Sequence, residues 1–307
     1  MSDLSTVLTP SLALSSPIVA ASGTYGYGSE LSDLRDCASL GALITPTITL
    51  HMRPGNPMPR TVEVSAGMLH ALGLPNPGLT GFISETLPTL QHPGYPVIGS
   101  ILGESLEEWT HLAEALTATG ALAGLELNLA LADPRQVETE QEALARITEA
   151  IQAVRAATSL SLIAKLPSIG AEIGALASAA ELAGADAIAV SQSPPGIVVR
   201  LNSRQFRLPG AVGGLSGPCI KPLALYQVWR VAQSVSIPIL GGGGVMNGAD
   251  ALEFLLAGAS TVAVGIANLI HPNAIADITE EIRVYLTANG IASLSELIGF
   301  ASGSLPH

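Results

Sequence analysis

One lysine in this sequence has surroundings suited to chemistry. Lys165 is one of only two lysines among 307 residues, and it ends an apolar run that predicts a buried strand. A lysine in such a place pairs with a buried anion or faces an electron-rich ring, because an unpaired buried ammonium is unstable. The alternative is a structural lysine that pairs with a carboxylate on a neighbouring strand. The binding role is the stronger hypothesis, since ionisable groups in unusual surroundings concentrate at functional sites.

A run of glycines is the second chemical feature. Residues 237–245 read IPILGGGGV, so a predicted buried strand ends abruptly in four glycines. Glycine lets main-chain N–H groups close around an anion, and a helix starting near Asn247 would add its positive N-terminal end. Residues 261–265, TVAVG, repeat the pattern one unit later. Each loop alone also fits an ordinary tight turn, but two glycine-ended strands in succession favour a phosphate site.

The elements that would position these groups alternate along the whole chain. Short apolar runs, typical of strands buried on both faces, are separated by longer helical patterns. Eight such repeats favour a closed (β/α)8 TIM barrel, of the α/β class, over an open doubly wound sheet. The predicted strands are 17–21, 42–47, 96–100, 124–129, 160–165, 186–191, 237–241 and 261–265. The predicted helices are 30–40, 78–90, 105–119, 135–157, 171–183, 221–235, 249–257 and 268–288.

Two connections are too long for simple turns. Residues 50–78 carry GNPMPR and GLPNPG and predict an ordered cover with proline-fixed turns. Residues 192–218 carry two adjacent prolines, three arginines and GGLSGP. Long excursions after barrel strands are where sites and interfaces are built. We expect one domain over residues 1–307, with these two segments as inserts.

Composition disfavours several classes of partner and location. The 25 acidic residues against 13 basic ones give a formal net charge of −12, which disfavours nucleic acid and anionic membranes. Cys37 and Cys219 lie far apart and predict neither a disulfide framework nor a metal site. No apolar run is long enough for a membrane helix, and no basic stretch precedes an apolar core at the N-terminus. We therefore expect a cytoplasmic protein without a membrane segment.

The C-terminal ends of barrel strands carry the reactive groups. Besides Lys165 and the two glycine ends, these positions hold Ala21, Ser22, Gly23, Pro46, Thr47, Gly99, Ser100, Asn128 to Leu131, Ser191, Gln192 and Ser193. His70, in the first long connection, is the histidine closest to such a site. It fits an acid–base group and a hydrogen-bonded loop residue about equally well.

Several of these stretches also carry a resemblance to a known family. They are PIVAASGTYGYGSE, RPGNPMPR, GMLHALGLPNPG, LELNL, AKL, GGLSGPCIKPLAL, IPILGGGGV and GASTVAVGIAN. In these motifs the chain resembles class 1 dihydroorotate dehydrogenases, and most closely the class 1B subunit that partners an iron–sulfur flavoprotein. The resemblance covers nearly the whole length, and several of the motifs are long and specific.

The resemblance implies an FMN at the C-terminal face of the barrel. Lys165 would face the flavin ring system. The implied positions along the flavin are Ala21, Ser22, Gly23, Thr47, Ser191 and Gly217, and those around the phosphate are Gly243, Gly244, Gly265 and Ile266. The family usually has Thr or Ser in place of Ile266. Isoleucine at this position keeps the main-chain N–H donor but lacks the side-chain hydroxyl of Thr or Ser.

The catalytic part departs from the family pattern. The family has a lysine in the segment TKSTTL; here the segment reads TPTITL, and Pro46 occupies that position. The family's catalytic base is the cysteine of NISCPN; here the stretch reads NLALAD, and Leu131 occupies the position of the base. Leucine cannot accept a proton, so a catalytic cycle needs another base, for which the candidates are Asp133 and His70. A lost lysine together with an added carboxylate at Asp133 also disfavours an anionic substrate.

The implied substrate positions are changed as well. The family's asparagines for orotate correspond to His70, Asp133 and Gln192, and only Asn128 remains. With the strand-end residue Ser193, the positions expected to bind substrate are His70, Asn128, Gln192 and Ser193.

Three functional hypotheses follow. The first is an FMN-dependent oxidoreductase of this family, whose reaction is oxidation of a CH–CH bond in dihydroorotate to give orotate in pyrimidine biosynthesis, with a substrate that can differ. The second is a non-catalytic family member that acts as a binding or scaffold subunit. The third, a phosphate-binding barrel isomerase or synthase, does not account for LELNL or GGLSGP. The resemblance implies a homodimer acting on a small molecule, and it leaves open whether an electron-transfer flavoprotein subunit binds.

Overall fold

The computed structural model describes residues 2–28, 30, 37–90, 94–130, 135–136 and 138–301. Its strands, in chain order, are β1 (Thr6–Thr9), β2 (Leu12–Leu14), β3 (Ile18–Ala20), β4 (Ala42–Ile44), β5 (Thr61–Val64), β6 (Gly67–His70), β7 (Val97–Ile101), β8 (Gly124–Asn128), β9 (Ser161–Lys165), β10 (Ala187–Val190), β11 (Pro195–Ile197), β12 (Val199–Arg200), β13 (Gln205–Phe206), β14 (Val212–Ser216), β15 (Ile239–Gly242) and β16 (Thr261–Val264). The α-helices are α1 (Gly78–Gly81), α2 (Leu106–Ala118), α3 (Glu140–Ala157), α4 (Ile173–Leu182), α5 (Lys221–Ala232), α6 (Gly248–Ala257), α7 (Ala267–Ile270) and α8 (Ala274–Ala288).

Eight parallel strands form a closed barrel in the order β3-β4-β7-β8-β9-β10-β15-β16. The barrel closes where β16 pairs with β3, through Val262 and Ile18 among others. Each barrel strand overlaps one of the eight predicted strands. The predicted (β/α)8 barrel is therefore confirmed.

The barrel strands are apolar because both of their faces are buried. Along β9, Leu162 and Ala164 belong to the cluster that includes the helices, whereas Ile163 belongs to a second cluster inside the barrel. Alternate side chains therefore fill two separate cores, one between barrel and helices and one in the barrel interior.

The β1–β2 hairpin closes the barrel at the end where the strands begin. Leu8 and Leu14 join the interior cluster. The hydroxyls of Thr9 and Ser11 lie 2.7 Å and 2.8 Å from that of Ser161, the first residue of β9. The opposite end, where the strands finish, is left for a site.

Several helices begin at side chains that cap them. The Ser105 hydroxyl accepts the Glu108 N–H at 3.2 Å before α2, and Thr139 forms a capping box with Glu142 before α3. Asn247 caps α6 by accepting the Asp250 N–H at 2.9 Å, which confirms a helix start at that residue. No helix in the described ranges has the length and apolar content to cross a membrane.

Three predicted helices differ from those in the structure. The helix predicted for 268–288 is interrupted, because the residue before a proline avoids helical backbone and His271 precedes Pro272 in an extended conformation. The helix predicted from residue 135 begins at Glu140, since the capping residue is Thr139. The segment 78–90 is regular only in α1 and continues as a π turn and a 3-10 turn that contains Pro88. Most of the predicted helix 30–40 lies outside the described residues.

The two long connections pair with each other. Strands β5 and β6 come from the first, β11 and β14 from the second, and together they form one antiparallel sheet in the order β11-β14-β6-β5. We call this sheet the cover sheet. The first connection therefore contains a β-hairpin as well as proline-rich turns. The register of the central pair aligns His70 with Gly214.

Candidate functional site

A cavity of about 950 Å³ lies where the barrel strands end, bounded on one side by residues of the cover sheet. Sites for small molecules usually span about 300 to 1,000 Å³, so this one has room for a large ligand. The predicted cofactor and substrate residues that line it are Ala21, Ser22, Gly23, Thr47, His70, Asn128, Lys165, Ser191, Gln192, Ser193, Gly217, Gly243, Gly244, Gly265 and Ile266. Two other predicted positions, Leu131 and Asp133, lie outside the described residues.

The loop after β15 requires glycine for both conformation and space. Gly243 and Gly244 have φ values of +125° and +77°, where other residues are strained. A Cβ on Gly244 would lie 2.7 Å from the carbonyl oxygen of Gly217 and 2.9 Å from the main-chain nitrogen of Lys221. Close packing of three main-chain segments therefore builds this end of the cavity.

Main-chain N–H groups at the same end have no protein acceptor. Within the described part of the chain, those of Gly243, Gly244, Gly265 and Ile266 donate to no other residue. They belong to the loops after β15 and β16, which are neighbours in the barrel. Main-chain donors away from bulk water need an acceptor, and a phosphate has enough oxygens for all four. The donor set therefore fits a phosphate group.

Lys165 is held at the cavity wall by a buried carboxylate. Its Nζ lies 3.5 Å from Oε1 of Glu126, whose side chain is 1% exposed. The register of β8 and β9 aligns Lys165 with Asn128, two residues beyond Glu126 and on the same face. The Ser100 hydroxyl donates to the same carboxylate at 3.1 Å. The structural and binding roles considered for Lys165 are thus compatible, because the ion pair fixes an ammonium that still lines the cavity.

A chain of hydrogen bonds runs along the wall beside this ion pair. The hydroxyls of Thr47 and Ser100 lie 3.1 Å apart, and Asn128 Nδ2 donates to Thr47 at 3.2 Å. Gln192 Nε2 donates to Asn128 Oδ1 at 2.5 Å. These contacts order the two amide side chains that the sequence predicts to bind substrate.

Two serines are fixed at the ends of other strands. The Ser22 hydroxyl donates to the carbonyl oxygen of Thr45 at 2.8 Å. The Ser191 hydroxyl donates to Oε1 of Gln227 at 2.8 Å, and Gln227 is buried. Their side chains therefore hold the strand-end loops in place around the cavity.

His70 lies within a cluster of hydroxyls. Its Nε2 is 3.2 Å from Ser193 Oγ and 3.0 Å from Ser216 Oγ. A Cβ on Gly214 would lie 2.9 Å from the imidazole, so glycine there gives the ring its space. Burial, assisted by the positive charge of Lys165, lowers the pKa of His70 below its ordinary value of 6.5. Both effects favour the neutral form of the imidazole.

Ser100 was expected at the end of a strand but without a role, whereas Glu126 and Ser216 were not expected in the site. Glu126 and Asn128 alternate with leucines in LELNL, and polar residues at a spacing of two indicate a polar face directed into the barrel. The second lysine is structural: Lys221 Nζ lies 2.6 Å from Asp250 and joins α5 to α6. Pro46 lines the cavity and contributes no charge.

The fold and the site define a (β/α)8 barrel protein with a small-molecule site at the ends of its strands. Residues 5–286 match the family model described as dihydroorotate dehydrogenase. A protein of Geotalea daltonii named "Dihydroorotate dehydrogenase B (NAD(+)), catalytic subunit" is 44% identical over 292 residues, which are 94% of this chain and 95% of that one. This chain belongs to the dihydroorotate dehydrogenase family.

Further relatives with the same name agree with this result. The protein of Trichlorobacter lovleyi is 41% identical over 297 residues, 95% of this chain and 97% of that one. The protein of Geobacter sulfurreducens is 40% identical over 292 residues, 94% of this chain and 95% of that one. The resemblance to the class 1B subunit is therefore confirmed over most of the chain.

Proposed function

We propose that this chain is an FMN-dependent oxidoreductase that oxidises dihydroorotate to orotate in pyrimidine biosynthesis. The observation that carries the proposal is the cavity itself. It combines main-chain donors without protein acceptors, at Gly243, Gly244, Gly265 and Ile266, with an ammonium held in place at Lys165. Membership of the dihydroorotate dehydrogenase family supports the same reaction.

The chain's own residues divide the work of holding FMN. The glycine loops after β15 and β16 would bind the phosphate, and Lys165 would place a positive charge beside the ring system. The pair with Glu126 keeps that charge oriented before any ligand binds, so little reorganisation is needed. When bound, FMN supplies an acceptor for the hydride that leaves the substrate.

The substrate would bind between this wall and the cover sheet. Asn128, Gln192 and Ser193 present amide and hydroxyl groups that match the ring amides of a dihydropyrimidine. Asn128 and Gln192 are already hydrogen-bonded to each other at 2.5 Å, which limits their motion. The cover sheet bounds the cavity opposite the barrel and would limit the access of bulk water to a bound substrate.

We propose that the chain works as one subunit of a larger assembly in the cytoplasm. The relatives are named as catalytic subunits, and their names include NAD(+). An electron-transfer flavoprotein subunit that passes electrons to NAD+ is the partner that these names favour. A homodimer is the second proposed association, for which the exposed apolar residues Leu201 and Phe206 on the segment between β10 and α5 are the candidate surface.

The test begins with the absorbance spectrum of the purified protein. We expect yellow protein with close to one FMN per chain, and loss of the visible flavin band on anaerobic addition of dihydroorotate. Colourless protein that takes up no added FMN would contradict the proposal. Protein that holds FMN but is not reduced by dihydroorotate would retain the cofactor role and refute the substrate. Adding NADH to the chain alone and to the chain with its co-purified partner tests the proposed electron-transfer subunit.

A further inference from the structure

The proposed reaction requires a group that takes a proton from one carbon while hydride leaves the next. Among the described residues that line the cavity, the ionisable ones are Arg53, His70, Glu126, Arg135 and Lys165. The side chains of the lysine and the arginines carry hydrogen-bond donors and no acceptor atom. Glu126 is 1% exposed and is engaged by both Ser100 and Lys165. His70 is the remaining described group.

The two nitrogens of the His70 ring differ in their surroundings. Nε2 is within hydrogen-bond distance of Ser193 and Ser216. Nδ1 has no hydrogen-bond partner among the described residues, and it is not one of their fully buried unpaired atoms. His70 lines the cavity, and its Nδ1 is the ring nitrogen left without a protein partner for a bound molecule.

We propose that His70 is the proton acceptor of this enzyme, and that Ser193 and Ser216 select the tautomer that allows it to act. The proposal rests on the proposed function. The serine oxygens can accept from Nε2–H, and in that tautomer Nδ1 keeps its lone pair for a bound molecule, since the partner of one ring nitrogen sets the state of the other. Ser193 and Ser216 are positioning residues, and their hydroxyls lie 3.2 Å apart.

The surroundings keep the ring neutral and therefore able to accept a proton. The charged group that acts on His70 is Lys165, and its positive charge opposes protonation. Its neighbours across the cover sheet are Thr61 on β5 and Gly214 on β14, neither of which titrates near neutral pH. No described carboxylate is hydrogen-bonded to the ring.

The step balances without any further reactant. A bond forms between Nδ1 and the proton of one substrate carbon. The electron pair of the broken C–H bond becomes the second bond between that carbon and its neighbour, as hydride leaves the neighbour for FMN. The substrate has then lost two electrons and two hydrogens, and His70 is an imidazolium. Loss of that proton to water restores the neutral ring.

The first experiment measures the tautomer directly and does not depend on activity. Protein labelled with 15N at its six histidines is titrated by NMR, and the resonance missing from His70→Asn identifies His70. We expect the Nε2–H tautomer with a pKa below 6.5. In the double variant Ser193→Ala/Ser216→Ala, the Nε2–H preference should be lost. An Nδ1–H tautomer in the wild-type protein, or a pKa of 6.5 or above, overturns the proposal.

The second experiment follows flavin reduction by dihydroorotate across pH in stopped flow. We expect the wild-type rate to fall at acid pH as His70 takes up its proton. His70→Asn should reduce the rate by roughly 100-fold or more without releasing FMN, and its acid limb should disappear. The matched control His111→Asn, at an exposed position of α2, should behave as wild type.

The outcomes separate this proposal from the proposed function. If His70→Asn keeps the rate and the acid limb while Asp133→Asn loses both, Asp133 is the base and the inference fails alone. If no variant binds FMN, the proposed function fails, and the NMR titration still decides the tautomer of His70.

Discussion

Replacing Gly244 by alanine tests the phosphate site at its most constrained residue. At φ +77°, a residue with a Cβ costs about 1–2 kcal/mol of backbone strain. The new methyl group would also lie 2.7 Å from the Gly217 carbonyl oxygen, so the loop must shift. A shift that removes one charge-assisted hydrogen bond to phosphate costs about 1.5–3 kcal/mol, which corresponds to roughly a 10- to 150-fold rise in Kd for FMN.

The matched control is Gly120→Ala. Gly120 has φ +63° but no atom within 4 Å of an added Cβ, so it carries the strain without the collision. Both variants should lose unfolding free energy in urea through the backbone strain, and Gly244→Ala should lose more because of its collision. Only Gly244→Ala should weaken FMN binding in a fluorescence titration of protein stripped of flavin. An unchanged Kd for Gly244→Ala would refute the assignment of this loop to the phosphate.

Four further predictions test other parts of the site. Lys165→Met leaves Glu126 buried without its counter-charge, and we expect a loss of about 3 kcal/mol of unfolding free energy in urea, partly recovered by adding Glu126→Gln. Lys221→Met removes an ion pair outside the cavity whose carboxylate, Asp250, is mostly buried, so it should cost about 1–3 kcal/mol of unfolding free energy and leave the Kd for FMN unchanged. Pro46→Lys adds an ammonium at the cavity wall and should lower KM for dihydroorotate roughly tenfold at low salt; an unchanged KM would contradict this. Because the pKa of His70 is lowered, the unfolded chain takes up that proton first as pH falls below 6.5, so unfolding free energy should decline there, and less steeply in His70→Asn.

Much of the barrel was predictable because its information is local. A strand buried on both faces is apolar along its length, and a helix start such as Asn247 needs only its own capping side chain. The errors arose where one residue changes the backbone. Pro272 interrupts a segment whose composition favours helix, and the effect falls on the residue before it.

The site was predictable to the extent that it lies at strand ends. Lys165 and the glycines after β15 and β16 each follow an apolar run, and parallel strands in a barrel finish at the same end. The partner of Lys165 was harder to predict, since a carboxylate on a neighbouring strand reaches it only through the register of β8 and β9. The role of Glu126 in the site therefore became evident only from the structure.

The primary sequence determined the barrel, its glycine-ended strands and the lysine at the end of a strand, because each depends on a short run of residues. Only the tertiary structure decided what lies opposite them. His70 and Ser216 are 146 positions apart, and they meet because two long connections pair as one cover sheet. Such pairing depends on hydrogen bonds between main chains that carry no local pattern of their own. The hydroxyl cluster around His70, and with it the proposed proton acceptor, is therefore a property of the fold.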